Sequence, residues 1–458
     1  MAKSSPKRKT EWPKYWNPKI ETMPRKELQE LQDRRIRHIV KYAWENSVFY
    51  RRLWKEHNPN LTPDDIKRWE DLKKLPIISK DDIRRVQGEA PPYGNMLGTP
   101  TDLMVEWSCT TGTTGRPTYN IWTVGEQGYS INVAARSFYT CMCRPGDIFY
   151  NGWRLDWHNH WGPMAASAAF TIGMKPVPAG AGFIATQPDR VADYLKEVRP
   201  TVWCSLPTMA YNFGLTLKEK GIESPFEVII LAGEPGPACF PEIRKALQEL
   251  HNCDYVIDFW ATGETGTGFL VECEEMDGMH WWHDIAAFEI IDAETKERVG
   301  PGERGLLVFT SLFSKTIPYI RFNVEDYASY VEDICACGRT HYLFKGGIPG
   351  RAEWVVKVGR KYILPPDVEA KLRTEFPEVK EYQIVKETPL EMPYLKLRLE
   401  PRKEPKDPDS WAKEHEEKLT EKFGVPVKVE YLASGTLGVP IFKKTYVVNL
   451  WKEKTQKQ

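Results

Sequence analysis

Short apolar runs alternate with amphipathic stretches through the middle of this 458-residue chain, and this alternation constrains the fold most strongly. Strands that alternate with helices form crossover units, which place the strands parallel in one sheet. Residues 285–330 instead have the pattern of strands and turns. The sequence therefore predicts an α/β fold with mostly parallel sheets and a β-rich subdomain. The apolar runs are residues 147–151, 175–178, 201–205, 227–232 and 254–260, and the amphipathic stretches include 190–198, 209–220 and 240–250.

The two ends of the chain have patterns of their own. Residues 26–45 carry apolar side chains at helical spacing, and Ser79 followed by acidic residues is typical of a helix start. Toward the C-terminus, helix-like and strand-like pieces alternate over about a hundred residues, a normal size for a small domain. We therefore predict a helical segment over 1–95, the core of a large domain over 96–350 and a small, mobile α+β domain over 354–458.

Composition excludes several classes of function. The 63 Lys and Arg residues balance the 63 Asp and Glu residues, which argues against a dedicated nucleic-acid-binding protein. No apolar run is long enough to cross a bilayer, and residues 1–16 lack the apolar stretch of a signal peptide. Nine cysteines, an odd number, favour a reduced protein over a disulfide scaffold. We therefore expect a cytoplasmic protein without nucleic-acid or membrane partners.

Residues 108–118 form the richest local motif of the chain. Glycines allow close backbone approach, hydroxyls and amides donate to anionic oxygens, and arginine adds a planar fork for phosphate. The segment is not a Walker A loop, because no Gly-Lys-Ser/Thr follows at the required spacing. A polar turn is the alternative, but the density of donors favours a phosphate-binding loop. Its candidate residues are Thr110, Thr111, Gly112, Thr113, Thr114, Gly115 and Arg116.

Six motifs along the chain resemble, in order, those of the adenylate-forming superfamily. They are the loop at 110–118 and the segments 232–235, 260–264, 318–326, 350–353 and 442–447. The branch to which the chain is most similar is named for phenylacetate–CoA ligase, and its characteristic segments are recognisable at 45–52 and 335–341. Each motif alone is a weak signal, whereas six in the order of the family are a strong one.

The resemblance implies an enzyme that activates a carboxylic acid with ATP. The acid attacks the α-phosphate, pyrophosphate leaves and an acyl-adenylate forms, after which the thiol of coenzyme A attacks the acyl carbon. Because two anions must meet, the site needs cations and donors where negative charge builds up. The matching positions assign the phosphates to residues 110–116, Mg²⁺ to Glu264, the ribose to Asp326, the adenine side to Gly233, Glu234 and Pro235, and catalytic contacts to Lys443, Glu264 and Arg351.

Departures from the family motifs affect particular positions. Asn323 stands where the family usually has arginine, and Arg321 is the nearby residue that would compensate in ATP binding. Lys444 directly follows Lys443 and is its rival as the catalytic lysine. The resemblance also implies that the small domain rotates about Glu353, presenting the lysine for adenylation and then admitting coenzyme A.

One set of cysteines and a histidine has the chemistry of a metal site. Cys273, His280, Cys335 and Cys337 offer four sulfur and nitrogen ligands, enough for a tetrahedral structural zinc. Their spacing is not that of a standard zinc finger, and buried thiols without a metal are the alternative. His283 and His341 are reserve ligands.

Residues 153–161 hold three tryptophans, two histidines and an arginine. In related ligases this stretch borders the acyl pocket, where tryptophan would stack on an aryl ring and arginine or histidine would meet a polar substituent. A helix start that packs its tryptophans into the core is the alternative. The candidate pocket residues are Trp153, Arg154, Trp157 and His158, together with Phe259, Trp260 and Ala261.

These observations predict an AMP-forming acid–CoA ligase for an aromatic or arylalkyl carboxylic acid, using ATP, Mg²⁺ and coenzyme A and carrying a structural zinc. Two alternatives stay open. One is an adenylating enzyme with a different acceptor, and the other is an inactive nucleotide-binding homologue, which the departures around Lys443 keep open. By analogy with the branch, we expect a homodimer.

Overall fold

The computed structural model describes residues 11–110, 117–155, 160–389, 391–438 and 444–451. The chain divides into two compact units, Met1–Ile348 (the large unit) and Pro349–Gln458 (the small unit). The helices are α1 (Pro18–Glu21), α2 (Arg25–Asn46), α3 (Val48–His57), α4 (Lys80–Glu89), α5 (Val124–Thr140), α6 (Trp161–Ile172), α7 (Ala181–Thr186), α8 (Pro188–Val198), α9 (Pro207–Glu219), α10 (Pro241–His251), α11 (Pro365–Glu375) and α12 (Pro408–Phe423). The strands are β1 (Met104–Cys109), β2 (Tyr119–Thr123), β3 (Ile148–Asn151), β4 (Lys175–Pro178), β5 (Val202–Ser205), β6 (Val228–Leu231), β7 (Tyr255–Trp260), β8 (Leu270–Glu272), β9 (Met279–Trp281), β10 (Ala286–Ile291), β11 (Gly305–Ser311), β12 (Phe322–Ala328), β13 (Leu343–Phe344), β14 (Gly350–Arg351), β15 (Val356–Val358), β16 (Lys361–Ile363), β17 (Val379–Lys386), β18 (Leu395–Pro401), β19 (Val427–Tyr431) and β20 (Val447–Asn449).

Among the described residues, eight strands form the central sheet of the large unit, in the order β13-β9-β8-β7-β6-β5-β3-β4. Strands β4, β3, β5, β6 and β7 pair in parallel, whereas β7, β8, β9 and β13 pair antiparallel. Every residue of β5 and β6 is buried, as expected for parallel strands that are covered on both faces. The predicted α/β class with a large parallel-containing sheet is confirmed.

Antiparallel strands make up the rest of the sheet structure in the large unit. Strands β10, β11 and β12 are adjacent in this order, and β10 and β11 are buried throughout. They are the predicted β-rich region. Strands β1 and β2 form a separate pair in which Cys109 lies opposite Tyr119. The segment between these two strands therefore begins and ends at the same edge of the pair.

The N-terminal helices of the large unit follow the predicted pattern. Helix α2 buries Leu28, Ile36, Ile39, Val40 and Ala43, the apolar positions that recur at helical spacing. At 22 residues α2 is as long as a membrane span. No helix among the described residues, however, combines that length with the apolar character that spanning requires.

Helix α4 begins at a capping box. The Oγ atom of Ser79 accepts the backbone N–H of Asp82 at 3.2 Å, and the Asp82 carboxylate accepts the backbone N–H of Ser79 at 2.9 Å. This reciprocal pair satisfies two backbone donors at the helix start. It also places Lys80 at the first helical position.

The small unit is an α+β fold. Strands β17 and β18 pair antiparallel, β19 adds in parallel to β18, and β20 adds in parallel to β17. The backbone N–H groups of Asp409 and Ser410, at the start of α12, donate to the Asp407 carboxylate, and Gly424 ends that helix in the left-handed region at φ 59°. Apolar side chains of the sheet and of α12, such as Leu397 on β18 and Leu419 on α12, are buried in the core of this unit.

Candidate active site and metal centre

Hydrogen bonds between its two ends close the base of the predicted phosphate loop. The backbone N–H of Thr110 donates to the carbonyl oxygen of Thr118 at 3.0 Å, and the N–H of Thr118 donates to the Thr110 hydroxyl oxygen at 3.1 Å. Strands β1 and β2 hold these ends side by side. The remaining predicted phosphate-binding residues lie outside the described part of the chain and stay a prediction: Thr111, Gly112, Thr113, Thr114, Gly115 and Arg116.

Glu264, the predicted Mg²⁺ ligand, is buried in a short turn after β7 and is paired with a lysine. Its carboxylate lies 3.0 Å from Nζ of Lys80, and it accepts a hydrogen bond from the Thr262 hydroxyl. The Glu264 side chain is 0% exposed and that of Lys80 is 14% exposed. Burial by itself raises the pKa of the Glu264 carboxyl, yet Lys80 and Thr262 hold that pKa below its ordinary value. A negative charge therefore persists at this buried position.

The turn of Glu264 lies directly beside the base of the phosphate loop. A Cβ atom at Gly263 would lie 3.5 Å from Cγ2 of Thr110 and 3.6 Å from Nδ2 of Asn120. Asn120 is 2% exposed, its Oδ1 accepts a hydrogen bond from the Tyr319 hydroxyl, and its Nδ2 has no partner among the described residues. Two motifs that are distant in the chain thus meet at one point, which we call the loop–turn junction.

Sequence reasoning assigned neither Lys80 nor Asn120 to the site. No family motif that we identified covers either residue, and each is an ordinary polar residue in its local context. The position of Lys80 directly after the predicted helix start at Ser79 is the single local signal. Because local sequence does not encode distance to Glu264, only the folded chain identifies these two side chains.

Asp326, the predicted ribose-binding acid, is held by a tryptophan from another motif. The indole Nε1 of Trp260 donates to Oδ2 of Asp326 at 3.0 Å. Asp326 lies on β12 and Trp260 ends β7, so this bond connects the β-rich region to the central sheet. Both side chains are partly exposed, as groups that contact a ligand must be.

The predicted adenine-side residues Gly233, Glu234 and Pro235 follow β6. Gly233 has φ 87°, in the left-handed region that favours glycine. The Glu234 carboxylate accepts hydrogen bonds from the backbone N–H and the hydroxyl of Thr208, both at 2.9 Å. Glu234 therefore anchors this segment to the start of α9, and the contact of the segment with adenine stays a prediction.

Arg321, which the sequence assigned to ATP binding, is bonded to Glu289 and to the chain before α4. Its Nε and one terminal nitrogen donate to the two carboxylate oxygens of Glu289 at 2.9 and 3.0 Å, and its other terminal nitrogen donates to the carbonyl oxygen of Leu75. The side chain is 6% exposed. Because these bonds use both edges of a buried guanidinium, Arg321 holds the chain before α4. Its contact with ATP in place of Asn323 stays a prediction.

An aromatic cluster contains two of the predicted acyl-pocket residues. The ring centroids of Trp153 and Phe259 are 5.5 Å apart, and Phe138 lies 5.9 Å from Trp153 and 5.5 Å from Phe259. Trp161 lies 6.4 Å from Phe259. Gly268 approaches this cluster so closely that a Cβ atom there would be 2.1 Å from Cζ of Phe259. Trp153 and Phe259 are buried, as both the pocket and the core-packing interpretation predict.

The other predicted pocket residues are less closely defined. Trp260 and Ala261 are partly exposed at the end of β7, and Arg154 is partly exposed after β3. Trp157 and His158 lie outside the described residues. The pocket assignment therefore stays a prediction for all of them.

His160 connects three elements of the site and was not assigned from the sequence. Its Nδ1 lies 2.5 Å from Oε1 of Glu106, and its Nε2 lies 3.0 Å from the carbonyl oxygen of Gly266. Its ring stacks on Trp122 with centroids 4.3 Å apart. It thus joins the start of α6, the β1–β2 pair and the chain just after Glu264. Its place in the tryptophan- and histidine-rich stretch was a signal that could have identified it.

The four predicted zinc ligands meet in one buried cluster of the large unit. The ligand atoms of Cys273, His280, Cys335 and Cys337 all lie within 4.8 Å of one another. The sulfurs of Cys273 and Cys335 are 3.7 Å apart, and Sγ of Cys337 lies 3.4 Å from Nε2 of His280. Two sulfurs bound to one tetrahedral zinc at about 2.3 Å are about 3.8 Å apart. The donor spacing therefore fits the ion. The cluster does not include the reserve ligands His283 and His341.

Groups around this cluster suit metal-bound thiolates. The backbone N–H of Arg339 donates to Sγ of Cys337 at 3.4 Å. The Arg339 side chain is 1% exposed and its Nε lies 2.8 Å from the Glu21 carboxylate. The cluster is thereby linked to the N-terminal segment of the chain.

In the small unit, the structure describes one of the two rival lysines. Lys443 lies outside the described residues. Nζ of Lys444 is 2.7 Å from the Glu381 carboxylate and 5.0 Å from the centre of the Tyr382 ring, so Lys444 belongs to the polar packing of its own unit. Arg351 lies on β14 and is partly buried, and its catalytic contact stays a prediction.

The fold and the loop–turn junction define an adenylate-forming enzyme. The family model described as AMP-binding enzyme matches residues 29–312, which is more than half of the chain. This chain belongs to the AMP-binding enzyme family.

Curated relatives and solved structures agree with this assignment. A phenylacetate–coenzyme A ligase of Thermus thermophilus is 30% identical over 374 residues, which cover 81% of this chain and 80% of the relative. Another, of Pseudomonas putida, is 29% identical and covers 67% of each chain. The structure of 2-hydroxyisobutyryl-CoA ligase in the postadenylation state with 2-HIB-AMP is 26% identical, covers 98% of this chain and 96% of that one, and has a TM-score of 0.85. The predicted family, branch and enzyme class are confirmed.

Proposed function

We propose that this enzyme is an AMP-forming acid–CoA ligase whose acid carries an aromatic ring. The acid–CoA ligase reaction is the one that the motifs predicted, and the family match and the named relatives bear it out. The aromatic nature of the acid, the metal ions and the roles of single residues are the finer parts of the proposal. The single observation that carries the site is the loop–turn junction, where Gly263, the residue before Glu264, lies beside Thr110 at the base of the phosphate loop.

At this junction the phosphates of ATP would meet donors on one side and a cation site on the other. Residues 110–116 supply hydroxyl and amide donors for the β- and γ-phosphates. Glu264 is the carboxylate that would hold Mg²⁺, a hard ion that takes oxygen ligands. A buried carboxylate whose structural partner is the ammonium of Lys80 is a position that requires positive charge, so the residues fit the ion. When bound, Mg²⁺ neutralises phosphate charge as pyrophosphate leaves.

Asp326 would accept hydrogen bonds from the ribose hydroxyls. The bond from Trp260 supports this role, because it holds one carboxylate oxygen and so orients the other. The segment Gly233–Pro235 would border the adenine. Its connection to α9 through Glu234 keeps the backbone of that segment in place.

Two residues of the small unit complete the proposed chemistry on the basis of their motifs. Lys443 would bring the substrate carboxylate and the α-phosphate together during adenylation, and Arg351 would contact the nucleotide near the ribose and phosphate. The environment of Lys444 supports this choice of lysine. Its ammonium lies between the Glu381 carboxylate at 2.7 Å and the Glu369 carboxylate at 3.8 Å, and an ammonium held by two acids is less available to a substrate.

The aromatic cluster supports an acid with an aryl ring. Trp161 lies against Phe259 and is partly exposed, so it is the ring of this cluster that would stack on an aryl acid. The fold alone does not determine which acid is used. The similar solved structure is that of a ligase named for 2-hydroxyisobutyryl-CoA, whose acyl group has no aromatic ring. The choice between an aryl and a small aliphatic acid therefore depends on the residues of this cluster.

We also infer that Cys273, His280, Cys335 and Cys337 hold a structural zinc. The ion would have four protein ligands and no open position, which is typical of structural rather than catalytic zinc. It would connect the β8–β9 region to the chain that precedes β13. The bond from the Arg339 amide to Cys337 is the kind of outer interaction that stabilises a bound thiolate.

A pyrophosphate-release screen tests the proposed function. Phenylacetate, benzoate and 2-hydroxyisobutyrate would each be supplied with ATP and Mg²⁺, with and without coenzyme A. We expect release with an aryl acid in the absence of coenzyme A, trapping of the adenylate by hydroxylamine, and thioester formation when coenzyme A is added. A preference for 2-hydroxyisobutyrate would contradict the aromatic assignment. Light scattering of the purified protein would measure its oligomeric state and test the homodimer that we expect by analogy with the branch.

The same screen separates the alternatives. Adenylation without thioester formation would indicate a different acceptor, such as an amine or an alcohol. No release with any acid, together with normal ATP binding, would indicate an inactive homologue. Lys443→Ala should abolish release and Lys444→Ala should retain it, whereas the reverse result would transfer the catalytic role to Lys444.

A further inference from the structure

The ion pair between Lys80 and Glu264 is the strongest unassigned feature of the site. Nζ of Lys80 lies 3.0 Å from the carboxylate of Glu264, whose side chain is completely buried. Exposed ion pairs contribute little to stability, whereas a buried charge needs a partner of opposite sign. Lys80 is that partner at the position proposed for Mg²⁺.

Lys80 lies on a segment, residues 78–82, that hydrogen bonds hold in place. The backbone N–H of Ile78 donates to the carbonyl oxygen of Arg321 at 3.0 Å, and the N–H of Asn323 donates to the carbonyl oxygen of Ile78 at 2.9 Å. The guanidinium of Arg321 also bonds to carbonyl groups just before this segment. The capping box of Ser79 then sets the first turn of α4. The backbone of Lys80 is therefore held in place, while its long side chain can move from one partner to another.

A second observation concerns a buried donor at the same junction that has no acceptor among the described residues. Nδ2 of Asn120 is buried beside Gly263 and Thr110, with no partner among the described residues. An unpaired buried donor costs stability, so such groups are rare unless a ligand supplies the missing partner. Phosphate oxygens are acceptors of the required kind.

We propose that Lys80 is an ATP-binding residue. Its ammonium pairs with Glu264 until the nucleotide arrives, and the side chain then moves so that the ammonium contacts the phosphate oxygens. This inference rests on the proposed function. Mg²⁺ and an ammonium at one carboxylate repel each other, so Lys80 would leave Glu264 if the ion were bound there. The four-carbon side chain and three N–H donors of lysine suit such a transfer, and the phosphates of MgATP retain negative charge.

Binding of ATP in the absence of acid, measured by calorimetry with Mg²⁺ and again with EDTA, tests this transfer. Lys80→Met should weaken MgATP binding roughly 10- to 100-fold, the effect of losing a hydrogen bond between charged groups. Glu264→Gln should strengthen binding of metal-free ATP, because it releases Lys80 to the phosphates. The double variant Lys80→Met/Glu264→Gln should lose that gain. Lys74→Met is the matched control, since Lys74 makes an exposed pair with Asp71, and it should bind as the wild type does.

The outcomes are distinct. If Lys80→Met does not fold, the comparison of Glu264→Gln with the double variant still shows whether Lys80 binds ATP. The double variant lacks both charges, so it leaves no buried charge without a partner. If Glu264→Gln and the double variant bind metal-free ATP equally, the pair is structural and the inference is wrong, while the proposed function is unaffected. If the wild-type protein binds ATP neither with Mg²⁺ nor with EDTA, the proposed function fails and the inference fails with it.

Discussion

The indole nitrogen of Trp260 donates to the carboxylate of Asp326 at 3.0 Å and so connects the end of β7 to β12. One residue belongs to the motif that carries Glu264, and the other belongs to the motif assigned to the ribose. The bond sets the orientation of Asp326 relative to the central sheet. A ribose held by Asp326 would therefore have a defined position relative to Glu264.

Removal of the indole donor should weaken nucleotide binding. Trp260→Phe keeps the ring but deletes the bond to Asp326, and we expect the KM for ATP to rise about tenfold, the effect of losing one hydrogen bond to a charged group. Trp69→Phe is the control, because the Trp69 indole donates to the carbonyl oxygen of Phe288 away from the site. Steady-state kinetics at saturating acid would measure both variants. An equal KM for ATP in the two variants would contradict the role of the Trp260–Asp326 bond.

Loss of one cysteine from the proposed zinc site should release the ion. Cys335→Ser removes one of four ligands, and we expect zinc content to fall from near one per chain and the thermal unfolding midpoint to drop by several degrees. Cys253→Ser provides the comparison, since the Cys253 thiol is buried elsewhere and donates to the carbonyl oxygen of Glu227. Elemental analysis and thermal melts would record both effects. Wild-type protein purified without added chelator but lacking zinc would count against the site.

A methyl group at Gly268 should disturb the aromatic cluster. Its Cβ would lie 2.1 Å from Cζ of Phe259, so Phe259 must move, and overpacking of this kind costs about 1–3 kcal/mol. We expect Gly268→Ala to raise the KM for the aryl acid more than the KM for ATP. Gly128→Ala in α5 meets no atom within 4 Å and should stabilise the protein by about 0.5–1 kcal/mol. If Gly268→Ala changes the two KM values equally, the cluster does not line the acyl pocket.

Asp258 should make the stability of the large unit depend on pH. Burial, with the nearby Glu272 carboxylate as a second cause, raises the pKa of the Asp258 carboxyl to about 7. The folded state therefore holds a proton that the unfolded chain releases at lower pH. The stabilisation is complete below the ordinary pKa of Asp, near 4, and is lost as pH rises through 7.

Asp258→Asn removes this titration and keeps a side-chain oxygen that can accept the backbone N–H of Ala238, as Oδ2 of Asp258 does at 3.0 Å. We expect the wild type to lose about 1 kcal/mol relative to the variant for each pH unit between pH 5 and 7. Urea unfolding of both proteins across this range gives the difference. A difference that does not change with pH would show that Asp258 titrates as an ordinary carboxyl.

Much of the fold was predictable because its signals are local. The buried strands β5 and β6 are continuous apolar runs, and the buried positions of α2 recur at helical spacing. These patterns identify element type and, through their alternation, the parallel sheet. The grouping of Cys273, His280, Cys335 and Cys337 was likewise suggested by the sequence, since their ligand chemistry is specific, and the structure brings the four side chains together. Their binding of zinc stays a proposal.

The site was predictable only where a motif covers it. Glu264 and Asp326 were assigned in this way, and the structure places each in contact with a residue that holds its carboxylate. Arg321 was assigned because its neighbours in sequence match a nucleotide-binding motif, whereas the contact of its guanidinium with Glu289 is visible only in the structure. His160 and Asn120 were missed because neither residue lies within one of the six motifs.

The sequence by itself determined the family and the element pattern, since both are properties of short segments read in order. The phosphate loop comes from the same kind of signal and stays a prediction. Only the tertiary structure decided that Lys80 neutralises Glu264, that Asn120 lies beside the turn of Glu264, and that Arg321 holds the chain before α4. Each of these facts is a distance between residues far apart in the chain. Such distances follow from how the sheets and helices pack together, and no local pattern records them.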